Sequence, residues 1–284
     1  MQGSSIEKTL EYKGHVVFKK LTIPAFKRFA REFASNEACF AFFTEGEYQV
    51  RTATGVLTVN REIGLLAKCV NYFYETVSGQ LEQGRGEVIG VFLFPDIFQR
   101  LFHFDFTQSD YQVDYDLKQV EVDQLLTHFR DSISILLDTP DLATPLMIET
   151  KLREFVLLMT QKVSAPSELD FLASMFKPNF VKFEQVIQHH LFSDVSIEEL
   201  AALCHMSVSS FKRKFNEVYG QSPKKHISQL KIDKAISLLD EPSSRVSDIV
   251  FQTGFESIST FNRVFKKHIG CSPSEYRQRQ SLSM

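Results

Sequence analysis

The sequence predicts an α+β chain of two domains. A β-rich amino-terminal domain with two following helices precedes an all-α domain with two helix-turn-helix motifs joined by a long helix. Three observations carry this reading. Between Phe18 and Phe106 apolar residues alternate or form short buried-type runs, the pattern of strands. From about Val120 the apolar period becomes helical. Finally, "VSSFKRKFNEVYGQSP" at Val208 to Pro223 returns as "ISTFNRVFKKHIGCSP" at Ile258 to Pro273, with Phe211 and Phe261 fifty positions apart (261 − 211 = 50).

In the first domain, "CFAFFTEGEYQVRTATGVLTV" alternates and is punctuated by Gly46 and Gly55, while "EVIGVFLF" is a buried-type run closed by Pro95. A sandwich or barrel is expected, and "GQLEQGRGEV" reads as a hairpin loop. Two amphipathic helices should follow. One is marked by Val120, Leu125, Phe129, Ile133 and Leu136, the other by Leu146, Ile148, Leu152, Phe155 and Leu158, with turn signals around Pro140 between them. Residues 1–164 are therefore read as a regulatory domain. Residues 165–179, with two prolines and mixed polarity, are read as a linker, and residues 180–284 as the helical domain.

Within the repeat, Ser196 stands three residues before Glu199, a capping-box pattern that opens a short helix. A turn at His205 and Met206 follows, and Ser207 caps a second helix whose face carries Phe211, Phe215 and Val218. Gly220 should end that helix and Pro223 prevent its return. The second copy uses Ser247, Ile249, a turn at Gly254 and Phe255, the cap Ser257, then Phe261, Phe265, Gly270 and Pro273. The offset is 49 before the turn and 50 after it, so the second turn holds one extra residue. Between the copies, Ile227, Leu230, Ala235, Leu238 and Leu239 mark one joining helix bounded by prolines.

A short helix, a tight turn and a second helix let the second helix enter a major groove. With the phenylalanines buried, Ser209, Lys212, Arg213 and Asn216 point outward in the first copy, and Ser259, Asn262, Arg263 and Lys266 in the second. Arginine grips guanine and asparagine grips adenine bidentately, whereas lysine and serine also suit phosphates. Lys224, Lys225 and Lys267 stay open between phosphate contact and a solvated face. A rigid connector would hold the two readers about one helical turn, roughly 34 Å, apart on double-stranded promoter DNA.

Charge agrees in direction. Residues 1–179 hold 18 Lys and Arg against 24 Asp and Glu (−6), and residues 180–284 hold 14 against 11 (+3). The opening "MQGSSIEKTL" lacks a signal-peptide core, and no apolar run approaches the roughly 20 residues of a membrane span. A cytoplasmic protein with no membrane partner is expected. Cys39, Cys69, Cys204 and Cys271 are scattered, which argues against structural zinc and a disulfide framework.

"IEELAALCHMSVSSFKRKFNEVYGQSP", "LKIDKAISLL" and "VSDIVFQTGFESISTFNRVFKKHIGCSPSEYR" occur in that order, and together they resemble the DNA-binding domain of the AraC/XylS family of bacterial transcription regulators. The resemblance covers about a third of the chain, residues 180 to 277. It implies a seven-helix domain with base contacts from Ser209, Lys212 and Arg213 and from Ser259, Thr260, Asn262 and Arg263. It also implies regulation, by habit activation, with RNA polymerase as partner. His205 departs from the family's usual glycine, and Lys231 from its usual arginine.

The first domain resembles, in architecture alone, family members with a cupin-like amino-terminal domain; by that analogy its two helices supply a homodimer contact, the other reading being that they only cover the barrel. Residues 1–164 hold 16 phenylalanines, most of them expected in the core. Some could line a pocket for a small apolar effector; control by a regulatory protein is the other reading. The rival function is a cupin-type metalloenzyme with a helical appendage. His15, His103 and His128 lack the close spacing of a metal site, however, and His189 and His190 read as surface residues or helix ends. No nucleophile-base arrangement or phosphate loop stands out, so neither an enzyme nor a cofactor is expected.

Overall fold

A computed structural model describes residues 7–24, 29–31, 37–68, 71–76, 85–177, 182–241 and 244–281. The chain divides into two compact units, Met1–Thr52 with Val56–Phe180 and Ala53–Gly55 with Val181–Met284. The α+β architecture is the one the sequence predicts. Most of "GQLEQGRGEV", the end of the expected linker, Cys69 and Pro242 lie outside the described residues.

The first unit begins with strands β1 (Glu7–Tyr12), β2 (His15–Pro24), β3 (Phe29–Arg31), β4 (Ala38–Glu45) and β5 (Tyr48–Thr52). It continues with β6 (Gly55–Val59), β7 (Ile63–Ala67), β8 (Tyr72–Thr76), β9 (Arg85–Leu93) and β10 (Leu117–Glu121). One antiparallel sheet runs β1-β2-β9-β4-β7-β10, the other β3-β8-β5-β6. Lys13 and Gly14, both at positive φ (52° and 84°), make the two-residue turn from β1 to β2.

Strand β4 explains the cluster of phenylalanines, because it is buried on both faces. Ala38, Phe40 and Phe42 point to one core, and Cys39, Ala41 and Phe43 point to another that they share with Tyr48, Val50, Tyr72 and Tyr74 of the smaller sheet. Each of the three phenylalanines contributes about 1.5–3 kcal/mol by leaving water.

Helices α1 (Pro95–Phe102), α2 (Gln124–Asp138), α3 (Pro145–Lys162) and α4 (Glu168–Phe176) share the first of these cores. Phe129 of α2 and Phe155 of α3 meet with ring centroids 5.5 Å apart and pack on Phe42 and Phe40 of β4. Asp123 caps α2 by accepting the Leu126 N–H at 3.0 Å, and Thr144 caps α3.

Four expectations change. Leu117–Glu121 is a strand paired with β7, so the helix expected from about Val120 begins only at Gln124. Leu126 is consequently buried and Leu125 exposed. Leu146 is 72% exposed, at the start of α3, while Met159 is buried. Proline at the first helical position starts α1 inside the stretch read as strands. The stretch read as a linker carries α4, whose Phe171, Leu172, Ala173 and Met175 are buried. Its cap Ser167 accepts the Asp170 N–H at 3.1 Å, and Ser109 donates to Asp170 at 2.6 Å.

The second unit is helical: α5 (Phe183–His190), α6 (Ile197–Leu203), α7 (Val208–Tyr219), α8 (Pro223–Leu239), α9 (Val246–Gln252), α10 (Ile258–Ile269) and α11 (Pro273–Ser281). Its apolar residues form two separate cores. Phe183, Ile187, Leu200, Ala201, Phe211 and Phe215 make the first; Ile232, Ala235, Leu239, Ile249, Phe261 and Phe265 belong to the second.

Candidate nucleic-acid interface

The sequence places a cap, two core aromatics and a stop in each reader helix, and the geometry follows residue by residue. Ser207 accepts the Ser210 N–H at 3.2 Å and Ser257 accepts the Thr260 N–H at 3.2 Å. Both hydroxyls thereby satisfy an orphan donor of the first turn. At the other ends, Gly220 (φ 69°) and Gly270 (φ 88°) adopt the left-handed conformation and donate to Asn216 and Lys266 carbonyls, each at 2.9 Å. Phe211, Phe215, Phe261 and Phe265 are fully buried.

The supporting helices differ in detail. Ser196 and Glu199 form the reciprocal capping box, at 2.8 and 3.1 Å. In the second copy Arg245 holds the cap position without a side-chain bond, and Ser247 lies within the first turn. The turns match: Met206 donates to the Ala201 carbonyl at 2.9 Å and Phe255 to that of Val250 at 3.1 Å. His205 adopts φ 54° where the second copy has Gly254 at φ 71°. Val218, expected in the core, is 36% exposed; Tyr219, four residues beyond Phe215, packs there instead with its ring 4.5 Å from Phe215. His190, expected at the surface or a helix end, closes α5 but is 3% exposed.

Ser209, Lys212, Arg213 and Asn216 are exposed on α7, and Ser259, Asn262, Arg263 and Lys266 on α10; Thr260 is half-buried and accepts from Ser257 Oγ at 3.0 Å. Ser209 lies 3.1 Å from the Ser207 hydroxyl. Among the described residues no ion pair engages Lys212, Arg213 or Arg263, whereas the neighbouring Lys214 pairs with Glu217 at 3.7 Å. Lys224, Lys225 and Lys267 are also exposed. The surface is cationic, rich in donors and able to accept an anionic, base-bearing ligand.

Residues 200–279 match the family described as "Helix-turn-helix domain". The matched segment is a helix-turn-helix domain of AraC/XylS type. Its AraC/XylS-type relatives include the MmsAB operon regulatory protein of Pseudomonas aeruginosa, 36% identical over 93 residues, covering 33% of this chain and 30% of that protein. The HTH-type transcriptional regulator ExsA of the same organism is 26% identical over 134 residues, 47% of this chain and 48% of that one. The virulence regulon transcriptional activator VirF of Yersinia enterocolitica is 28% identical over 140 residues, 49% and 50% of the two chains. The matches thus span half or less of these relatives' own lengths. Similar solved structures include ToxT from Vibrio cholerae with bound unsaturated fatty acid, at 16% identity, 97% and 95% coverage and a TM-score of 0.37. Another is the DNA-binding domain of AdpA in complex with a target DNA, at 27% identity, 34% and 87% coverage and a TM-score of 0.32.

Outside the AraC/XylS-type domain, His15 stacks on Phe94 at 4.2 Å and lies 3.3 Å from Asp96, while His103 ends α1 in the left-handed conformation. Among the described residues no group of three or more His, Cys, Asp or Glu could hold a metal ion, and no helix is long and apolar enough to cross a membrane. Cys204 and Cys271 are free thiols, and the Cys39 sulfur lies 3.7 Å from the Tyr72 hydroxyl.

Sequence reasoning did not assign a role to Lys231, a buried cation on α8. Its Nζ donates to the Ser193 and Gly254 carbonyls, both at 2.6 Å. Burial pulls its pKa down to about 8, with Asp194 opposing. The signal was available. Ile227, Lys231, Ala235 and Leu239 recur every fourth residue, so a cation occupies the apolar stripe of the helix.

Proposed function

We propose that this protein is a promoter-binding transcription regulator that acts as an activator and reads two successive major-groove segments with α7 and α10. One observation carries the reading: two helices with the same caps and core aromatics each present an exposed arginine free of ion pairs among the described residues. Arg213 with Lys212, Ser209 and Asn216 form the first reader. Arg263 with Asn262, Ser259, Thr260 and Lys266 form the second. Bases are read by the arginines and Asn262, and phosphates are held by the lysines and hydroxyls.

In this reading the amino-terminal unit controls the readers as a homodimer, taking either a small apolar effector or a regulatory protein as input, and the bound dimer offers a surface to RNA polymerase. The outer face of α2 and α3 supports it. Ile135, Leu146 and Met147 are exposed there, and a groove of about 560 Å³ lies between Ile135, Leu136, Leu146 and Met147. Another cavity of the unit, about 710 Å³, is lined by Glu45, Glu62, Glu87, Arg130, Asp131 and Ser134 and suits polar rather than apolar occupants.

Titration of full-length protein against mixed-sequence duplex DNA at several salt concentrations tests the function. The logarithm of the affinity should fall linearly with log salt, with a slope of about −0.9 per phosphate neutralised, and the double variant Arg213→Ala, Arg263→Ala should bind more weakly. Salt-independent or absent binding by the wild type would contradict the proposal.

A further inference from the structure

The two reader cores do not merge, so something must fix one reader against the other. Helix α8 contributes Ile227 to the first core and Ile232, Ala235 and Leu239 to the second. Lys231 falls between them on that helix. Its ammonium joins the loop that leads into the first helix-turn-helix, through the Ser193 carbonyl, to the turn of the second, through the Gly254 carbonyl.

Three further contacts converge on this junction. The Lys231 ammonium lies 5.6 Å from the centroid of the Phe255 ring. Lys234, one turn along α8, holds its ammonium 3.9 Å over the Phe192 ring. Gly254 approaches so closely that a β-carbon there would collide with the Phe192 carbonyl. The loop beneath is itself braced, since Ser193 donates to the His190 carbonyl from both N–H and hydroxyl, at 3.1 and 2.8 Å.

We propose that Lys231 is a positioning residue: by clasping the Ser193 and Gly254 carbonyls it fixes the separation and angle of α7 and α10, and so sets which spacing between two DNA boxes the protein accepts. The inference rests on the DNA-binding reading above. An ammonium donates to two carbonyls at once, and neither an apolar nor a single-donor side chain can hold both. One base pair inserted between boxes moves the second box by about 3.4 Å and rotates it by about 34°. A rigid pair of readers cannot follow that change; a loosened pair can.

The test uses full-length protein and two-box duplexes recovered by selection from a random pool, rebuilt with spacers one or two base pairs longer or shorter. Single-box duplexes report each reader alone. Wild type should lose about tenfold or more in affinity when the spacer changes by one base pair. With Lys231→Met, affinity at the parent spacing should fall and the preference for that spacing should shrink to about threefold or less, with single-box affinity unchanged. Lys231→Arg, which keeps several donors, should restore the preference. Lys231→Gln, whose tip carries one NH2 donor group beside an accepting carbonyl, should fall between and serves if the methionine variant does not fold. A general loss of stability would lower all affinities together and leave the preference intact. Retention of the wild-type preference in Lys231→Met or Lys231→Gln would overturn the clasp while leaving the DNA-binding reading standing. Failure of the wild type to select any duplex would overturn that reading and the clasp with it.

Discussion

Phe211 and Phe261 occupy the same place in two separate cores, both fully buried, fifty residues apart. Each contacts the phenylalanine one turn on, Phe215 at 5.8 Å and Phe265 at 5.5 Å between ring centroids. Truncating either removes a ring that the surroundings cannot refill. Phe261→Ala should cost about 3–5 kcal/mol in denaturant unfolding and disorder the second reader. A cost below about 1 kcal/mol would show that the core does not depend on that ring.

Arg263→Ala should weaken binding by about 1–3 kcal/mol at the cognate duplex and relax specificity at one base pair. Lys266→Ala should instead weaken all sequences alike and reduce the salt slope by about one. Binding isotherms on a set of single-base-pair variants separate the two behaviours. Equal weakening on every variant by Arg263→Ala would remove that residue from base reading.

Ser257→Ala deletes the acceptor of the Thr260 N–H and the donor to its hydroxyl, so thermal unfolding should report a loss of about 0.5–2 kcal/mol. Ser257→Asp should restore most of it, because a carboxylate also caps and complements the helix dipole. An unchanged melting curve for the alanine variant would mean the cap contributes nothing.

Acid should weaken the first unit. Asp138 is held below the usual carboxylate range by Lys8 and then Lys20, Asp123 by the Leu126 N–H and then Lys162, and Glu149 by Arg153 and then Tyr12. Asp170 is held down by the hydroxyls of Ser109 and Ser167. These groups bind protons more weakly folded than unfolded. The stability they contribute is therefore complete above the unfolded values, about pH 4, and is lost as pH falls through the lower folded ones. Asp138→Asn should make urea midpoints less dependent on pH across that window, and an unaltered dependence would contradict the assignment.

Ile135 is 60% exposed and Leu146 is 72% exposed on the outer face of α2 and α3. Placing a carboxylate at either position should turn a dimer into a monomer in sedimentation equilibrium while leaving the melting temperature nearly unchanged. A wild-type monomer at all concentrations would remove this face from the dimer contact.

What was legible in the sequence was what is local. The reader helices declare themselves because Ser207, Phe211, Phe215 and Gly220 lie within four turns of one helix, where spacing alone decides which face is buried. Strand β10 was not legible, because Leu117–Glu121 owes its conformation to β7, fifty residues earlier in the chain, and its alternation merges into the apolar pattern of α2. Helix α4 hid behind Pro166 and Pro178, although its apolar residues find their place against α3 and Phe106. Tyr219 displaced Val218 from the core because the i, i+4 row from Phe211 continues to it, and a ring reaches further than an isopropyl group. The role of Lys231 depends on carbonyls at Ser193 and Gly254, distant in sequence, so only its odd position on an apolar stripe could be read beforehand.

The most direct test of two readers on one chain is selection of duplexes from a random DNA pool by the full-length protein, repeated with Arg213→Ala and Arg263→Ala. The account predicts two enriched segments about one helical turn apart, the first blurred by one substitution and the second by the other. Enrichment of a single segment, or two segments unaffected by either substitution, would contradict it.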